Sequence, residues 1–303
     1  MKSAIVTGAG GFVGKAVVQE LLNRGVEVWA ITRPQSKHPI DLERVHIIEC
    51  NLSDYANLAN IIALPVDVFF HFAWEGTSGS MRADEGIQLA NVQGSCNAMN
   101  SAASLGCKRF IYASSIMQYE VEAVVKSMEN PGPNSMYSVC KMTADYMLRI
   151  IASKNNIEYN SALISNIYGP GEHSPRLINS TIRKALQGEH LAFSPGEQLY
   201  DFIYITDAAK MFAEIGERGI AGRTYYIGNK DPKPLKGFLY EMQTVLGCKD
   251  RFGIGELPFN GISLNYTEFS TKLLYDELGY KPSVSFAEGI EKTKDWILQE
   301  AEQ

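Results

Sequence analysis

Tyr137 and Lys141 lie four residues apart in "NSMYSVCKMTADYM", residues 134–147. On a helix that spacing places both side chains on one face, one turn apart. Asn134 or Ser135 can cap such a helix, which then begins near Met136 and holds Tyr137 in its first turn. A Tyr hydroxyl, pKa about 10, is a poor base at neutral pH. A neighbouring ammonium favours the phenolate and brings it towards the working range. The same pair occurs by chance on many packing helices, so the rest of the chain must supply a site. A serine is at hand: "YASSIMQY" closes a strand with Ser114 and Ser115 at its C-terminal edge. In an open α/β sheet, ligands bind outside those edges. Ser115, Tyr137 and Lys141 are therefore expected to converge, with the Ser115 hydroxyl fixing and polarising a reacting oxygen.

The partner for that chemistry is written at the N-terminus. "TGAGGFVG" (7–14) follows an apolar strand and opens a helix. Gly8 allows the tight turn, Gly11 lets backbone approach a pyrophosphate, and Gly14 lets the helix pack on the sheet. Phe12 and Val13 open the helix, whose free N–H groups and positive dipole end favour phosphates. At the end of the second strand an Asp or Glu would bond the ribose hydroxyls of NAD. Here "AITRPQSK" puts Thr32 and Arg33 at that point. A guanidinium suits a 2′-phosphate, so NADP(H) is the expected cofactor, with NAD(H) the alternative.

Elements that hold these residues alternate through the first half. "SAIVT" (3–7), "VEVWAI" (26–31), "VHIIE" (45–49), "VDVFFHF" (66–72), "RFIYAS" (109–114) and "YNSALIS" (159–165) read as buried strands. Helical patterns cover 12–24, 54–63, 83–105 and 136–154, while 32–44, with Pro34 and Pro39, reads as a loop. The alternation predicts an α/β fold: a Rossmann-type, doubly wound parallel sheet covered on both faces. Beyond residue 166 come the loop "YGPGEHSP", a helix over 177–187 and a hairpin through "LAFSPGEQLYDFIYI". "TYYIG" (224–228) can add a strand, and helices near 234–246 and 284–301 complete the tail. The expected division is a dinucleotide-binding domain at 1–166 and 204–228, with a smaller, discontinuous C-terminal substrate lobe at 167–203 and 229–303.

Composition excludes several classes of partner. The 303 residues are 45% hydrophobic and 20% charged, with net charge -6. No Lys/Arg run forms a basic patch, so neither nucleic acid nor an anionic membrane is expected. No apolar stretch approaches the roughly 20 residues of a membrane span, and the N-terminus shows no signal-peptide core. The cysteines (Cys50, Cys96, Cys107, Cys140, Cys248) lack metal-like spacing. They read as free packing thiols of a cytoplasmic protein, with no metal site expected.

Together these stretches resemble the extended short-chain dehydrogenases/reductases of the NAD-dependent epimerase/dehydratase family. The matching motifs are "TGAGGFVG", "HFAW", "NVQGS" (91–95), the serine pair, "YSVCK", "NIYGPG" (166–171), "DFIYITD" (201–207) and "LLYDELGYKPSVSFAEGI". They run in the family's order over nearly the whole chain. The resemblance implies Tyr137 as the acid/base, Lys141 also on the nicotinamide ribose, and Ser115 on the substrate oxygen. It implies Asn91 as a support of the active-site hydrogen bonds and Ala73 as lining of the cofactor groove. Asn51 and Leu52 stand where the family usually has Asp-Leu against the adenine. It further implies a nucleotide-diphosphate sugar as substrate, with Asn166 near the sugar or diphosphate and "HLAFS", including Phe193, near the base. A homodimer through the 83–105 and 136–154 helices is also implied.

The departures narrow the reaction. Tyr200 replaces an Arg that often reaches the diphosphate, and Leu163 or Ile164 replaces another. Arg176, Arg183, Arg223 and Arg251 are the candidate substitutes, each also readable as a solvated surface charge. Ile116 and Met117 follow Ser115 where 4,6-dehydratases of the family carry Asp-Glu, and neither transfers protons. The Cys of C3/C5 epimerase-reductases is missing too. His173, in its Gly/Pro loop, is an extra acid or merely exposed. What remains is redox at one carbon: a 4-ketoreductase, similar to NDP-4-keto-6-deoxyhexose reductases of the abequose synthase type, or a 4-epimerase. A reductase of small non-nucleotide ketones and a non-enzymatic NAD(P)-sensing regulator are the further alternatives.

Overall fold

The computed structural model describes residues 1–36, 44–128, 130–229 and 232–302. The loop expected over 32–44 therefore lies largely outside the described residues. The backbone groups into two compact units. The first takes Met1–Ile164, Ala209–Tyr226 and Leu273–Tyr280; the second takes Ser165–Ala208, Ile227–Lys272 and Lys281–Gln303.

In the first unit the chain runs β1 (Ser3–Thr7), α1 (Phe12–Asn23), β2 (Glu27–Thr32), β3 (Val45–Glu49), α2 (Leu58–Ile62), β4 (Val68–His71), α3 (Glu85–Ser104), β5 (Arg109–Ser115), α4 (Gln118–Ser127), α5 (Ser135–Lys154) and β6 (Glu158–Ile164). The chain continues with β7 (Asn166–Tyr168), α6 (Leu177–Leu186), β8 (Leu191–Phe193), β9 (Leu199–Tyr200), β10 (Phe202–Tyr204), α7 (Ile205–Arg218), β11 (Thr224–Ile227), β12 (Lys233–Pro234), α8 (Leu235–Leu246), β13 (Phe252–Ile254), α9 (Lys272–Leu278) and α10 (Phe286–Ala301).

The main sheet has seven strands in the order β11-β6-β5-β4-β1-β2-β3. Registers from β3 to β6 are parallel. Ser161 and Ser165 N–H donate to the carbonyls of Arg223 and Ile227 in the same sense, so β11 runs parallel as well. The fold is Rossmann-type α/β, as the alternation of elements predicts. Its inner strands are buried on both faces because helices cover both, while the edge strand β3 is partly exposed. Ile5, Ile31, Phe69, Phe70, Phe110 and Tyr112 are fully buried.

The strand order reverses at β1, and this positions the site. Thr7 pairs with His71, and His71 with Tyr112, so one row crosses the C-terminal ends of β1, β4 and β5. The segments that follow that row are Gly8–Gly11, Phe72–Glu75 and Ala113–Ser115. α3 serves them with an unusual buried stripe: Gln88, Asn91 and Ser95 have no exposed surface.

Three expectations are corrected. The helix read over 54–63 is a 3-10 turn (Leu52–Asn57) followed by the short α2. The hairpin read through 191–205 does not form: β8 pairs with β13, β9 with β12, and β10 with β7. The reason is local. Gly196, at φ +67, turns the "SPGEQ" segment onto the start of α8, where Lys236 and Leu235 N–H donate to the Gly196 and Gln198 carbonyls. Finally, α4, α7 and α9 were not expected.

Candidate active site

The glycine turn is closed so tightly that side chains are excluded. Gly8 has φ +65, and a Cβ there would lie 2.8 Å from the Ala73 nitrogen. A Cβ on Gly14 would lie 2.2 Å from the Gly8 carbonyl oxygen. Gly11 N–H donates to that carbonyl at 2.9 Å. Gly11 is also the N-cap of α1, with no side chain capping it. The first amides of α1, those of Phe12 and Val13 among them, have no carbonyl one turn back. A pyrophosphate fits this cradle. Ala73 adjoins it, its N–H 3.4 Å from Thr7 Oγ1.

At the end of β2, Thr32 is buried and Arg33 is exposed. The Arg33 guanidinium approaches Glu75 at 3.8 Å. Asn51 is exposed as the N-cap of the 3-10 turn. Leu52 packs against α3 at Gly94, where a Cβ would meet its side chain at 2.4 Å.

α5 carries Tyr137 and Lys141 as the sequence predicts, and both are buried. Lys141 Nζ donates to the Ala113 carbonyl at 2.9 Å, tying α5 to the strand that ends in Ser115. The same ammonium lies 3.9 Å from the Trp74 ring centroid and 6.0 Å from that of Tyr137. Trp74 meets Tyr137 edge to face at 6.1 Å. Ser115 Oγ accepts the Met117 N–H at 3.2 Å, while Ile116 is buried.

Asn91, buried on α3, makes a reciprocal pair with Glu75. Its Nδ2 donates to the Glu75 carbonyl and its Oδ1 accepts the Glu75 N–H, both at 2.8 Å. It therefore holds the loop after β4. His71 lies between Thr7 Oγ1 (2.8 Å) and Ser95 Oγ (2.9 Å). Burial, with Lys141 adding to it, pushes the His71 pKa down to about 3, so the imidazole is neutral.

Sequence reasoning missed four residues here. Gln88 accepts the Trp74 indole N–H at 2.9 Å. Trp74 itself lies in the quoted "HFAW" but had no assigned role. Glu120 is buried and accepts from Ser135 Oγ (3.0 Å) and Ser138 Oγ (2.6 Å), on either side of Tyr137. Arg82 reaches the Tyr137 ring from the loop before α3. The available signal was α3 itself, where Gln88, Asn91 and Ser95 fall at helical spacing among buried residues.

The second unit holds the substrate candidates. Asn166 Nδ2 donates to the Asp201 carbonyl and the Tyr266 hydroxyl, each at 3.0 Å. Tyr200 stacks on Phe202 and Tyr266. Phe193 is buried against Phe252, its ring centroid 5.2 Å away. Arg176 pairs with Glu172 at 3.5 Å, Arg183 with Glu300 at 2.8 Å, and Arg251 donates to the Ala185 carbonyl. His173 lies 3.4 Å from Glu300. Arg223, in the first unit, pairs with Glu277 at 3.5 Å. All five cysteines are free and buried. No described helix is long and apolar enough to cross a membrane.

Residues 4–228 match the NAD dependent epimerase/dehydratase family. Low-salt glycan biosynthesis protein Agl12 of Haloferax volcanii is 26% identical, covering 98% of this chain and 99% of that protein. A dTDP-glucose 4,6-dehydratase of Escherichia coli is also 26% identical, covering 98% and 94%. The solved UDP-N-acetylglucosamine 4-epimerase of Methanobrevibacter ruminantium, in complex with UDP-N-acetylmuramic acid, superposes with a TM-score of 0.83 at 24% identity, covering 99% of both chains. The chain belongs to the NAD dependent epimerase/dehydratase family.

Proposed function

We propose that this member of the NAD dependent epimerase/dehydratase family performs redox at one carbon of a nucleotide-diphosphate sugar. Reduction of a 4-keto-6-deoxy sugar is the first reading and C4 epimerisation the second. The observation that carries it is the tie from Lys141 to the Ala113 carbonyl, which brings the Tyr137 helix to the end of the Ser115 strand. Ser115 orients the substrate oxygen. Tyr137 passes its hydroxyl proton to that oxygen or withdraws one from it. Lys141 holds its positive charge 6.0 Å from the Tyr137 ring centroid and binds the nicotinamide ribose. A bound nicotinamide supplies or takes up the hydride. Gly8, Gly11, Phe12, Val13 and Gly14 hold its pyrophosphate, Ala73 lines the groove, and Asn51 and Leu52 face the adenine.

Water loss needs a second proton transfer. Ile116 and Met117 offer none, and both oxygens of Glu120, the next acid along, already accept from serines. That argues against the dehydratase reaction of the Escherichia coli relative. For the nucleotide we assign Asn166, Arg176, Phe193 and Tyr200 of the second unit. Arg176 would have to exchange Glu172 for a phosphate.

Arg33 supports NADP(H); the family's NAD dependence and the neighbouring Glu75 carboxylate support NAD(H). Measuring Kd for NADPH and NADH separates them. If Arg33 reads a 2′-phosphate, wild type prefers NADPH and Arg33→Ala loses about tenfold or more of that affinity, the scale of a charge-assisted hydrogen bond. Equal wild-type affinities make Arg33 a bystander.

Stoichiometry tests the reaction. With NDP-4-keto-6-deoxyhexoses a reductase consumes one reduced nicotinamide per sugar. With NDP-hexoses an epimerase converts sugar and consumes none. Reaction with simple ketones alone would overturn the nucleotide-sugar reading.

A further inference from the structure

The loop between β4 and α3 carries a cation into the Tyr137 site. Arg82 lies in the 3-10 turn Ser80–Ala83, with its guanidinium carbon 4.6 Å from the Tyr137 ring centroid. Its Nε is buried and has no hydrogen-bond partner among the described residues.

That position is built. Gln88, fully buried on α3, donates at 3.0 Å to the carbonyls of both Gly76 and Met81. Gly76 has φ +69, and a Cβ there would lie 2.8 Å from the Met81 carbonyl oxygen, so only glycine closes this loop. Gln88 thus fixes the residue before Arg82 and, through the indole N–H, the Trp74 ring that edges Tyr137. Asp84 caps α3 directly after the turn, accepting the Ile87 N–H at 2.8 Å.

A buried donor without an acceptor costs about 1–3 kcal/mol. Such an orphan in a folded protein calls for strain, water or a ligand to account for it. A guanidinium is planar, and all its N–H donors lie in that plane. With its central carbon 4.6 Å from the Tyr137 ring centroid, it brings these donors beside the ring whose hydroxyl would hold a substrate oxygen.

We infer that Arg82 is a substrate-binding residue: held over the Tyr137 ring, its guanidinium donates to an oxygen on the carbon next to the reacting one. The nucleotide-sugar reading supplies that oxygen as a ring hydroxyl of the sugar, and in that respect the inference rests on it. The contact selects polyoxygenated rings over simple ketones, because a simple ketone has no second oxygen to offer.

Full-length wild type, Arg82→Met and Arg82→Lys are compared on NDP-4-keto-6-deoxyhexoses, NDP-hexoses, dihydroxyacetone and cyclohexanone. Kd for cofactor and for free UDP, dTDP, CDP and GDP is measured alongside. Arg82→Met should lower kcat/KM for the best oxygen-rich substrate by about 10–100-fold, the usual loss of a hydrogen bond to a charged group. Rates on cyclohexanone and both sets of Kd should stay within about twofold. Arg82→Lys, a point charge without the planar fork, should recover only part of the loss.

An unchanged kcat/KM in Arg82→Met overturns the inference. So does an equal loss on cyclohexanone, which would place the effect on Tyr137 alone, or a parallel loss of cofactor binding, which would make Arg82 structural. If wild type reduces dihydroxyacetone and cyclohexanone but no nucleotide sugar, the proposed function fails, while a selective loss on dihydroxyacetone still upholds Arg82. A wild type that turns over none of these substrates removes both.

Discussion

At the scale of single residues, Tyr137 and His71 make opposite demands on protons. Tyr137 is proposed to move one, and its hydroxyl makes no hydrogen bond among the described residues. Tyr137→Phe should therefore leave the cofactor Kd nearly unchanged and lower turnover by at least about 10²-fold, the scale of a lost acid/base group. Near wild-type kcat in that variant would end the mechanism. His71 must not take a proton. Its pKa falls from an ordinary 6.5 to about 3 because it is buried, with Lys141 as the second cause. The unfolded chain binds this proton more readily than the native state. The contribution is thus complete above about pH 6.5 and is lost as pH falls towards 3, at up to about 1.4 kcal/mol per pH unit. Urea midpoints at pH 7 and pH 5 should fall less in His71→Gln than in wild type; equal falls would assign acid sensitivity elsewhere. Tyr137, Lys141 and the glycines were legible because a single turn or a single helix spaces them. Arg82 and Gln88 were not, since their contacts join residues far apart in sequence, through a loop whose path no local pattern fixes.

The elements show the same division between local and distant causes. α1, α3 and α5 follow from their patterns, and the parallel, doubly wound sheet from the alternation of strands and helices. α4 does not, because its one buried residue is Glu120, a carboxylate, so no apolar period announces it. Yet α4 serves the site through that residue. Ser135 and Ser138 lie in the first turn of α5, and Glu120 accepts from both, so one carboxylate fixes the turn that carries Tyr137. Glu120→Ala strands two buried hydroxyls. It should cost about 2 kcal/mol or more, read as a lowered urea midpoint, and should reduce kcat more than cofactor affinity. An unchanged midpoint would mean that water replaces the carboxylate and that α4 does not anchor α5. α7 was legible and overlooked: Ala208, Met211, Phe212 and Ile215 are buried at helical spacing. The hairpin failed for the converse reason, since strands of two or three residues carry too little pattern to choose a partner.

For the whole molecule, the unresolved balance lies on the outer face of α3 and α5. Leu89, Tyr146 and Ile150 are 60%, 64% and 58% exposed, and Val139 and Met147 are exposed beside them. Val139, Tyr146, Met147 and Ile150 fall at i, i+7, i+8 and i+11, a continuous stripe along α5. The opposite face of the helix is already buried on the sheet through Tyr137, Cys140, Ala144 and Leu148. α5 is therefore apolar on two sides, and a helix with two apolar faces has a second partner to find. Two copies of this pair of helices can satisfy each other as a four-helix bundle, and we propose that homodimer. Lys141 lies with Tyr137 on the buried face, away from the stripe, so the interface would brace the helix that presents the chemistry without entering the cofactor groove. Light scattering at micromolar concentration should give twice the chain mass of 33.5 kDa. Tyr146→Glu with Ile150→Glu should shift it to the monomer, because each buries a charge in an apolar seam. A wild-type monomer under these conditions would refute the dimer and leave the stripe without a partner.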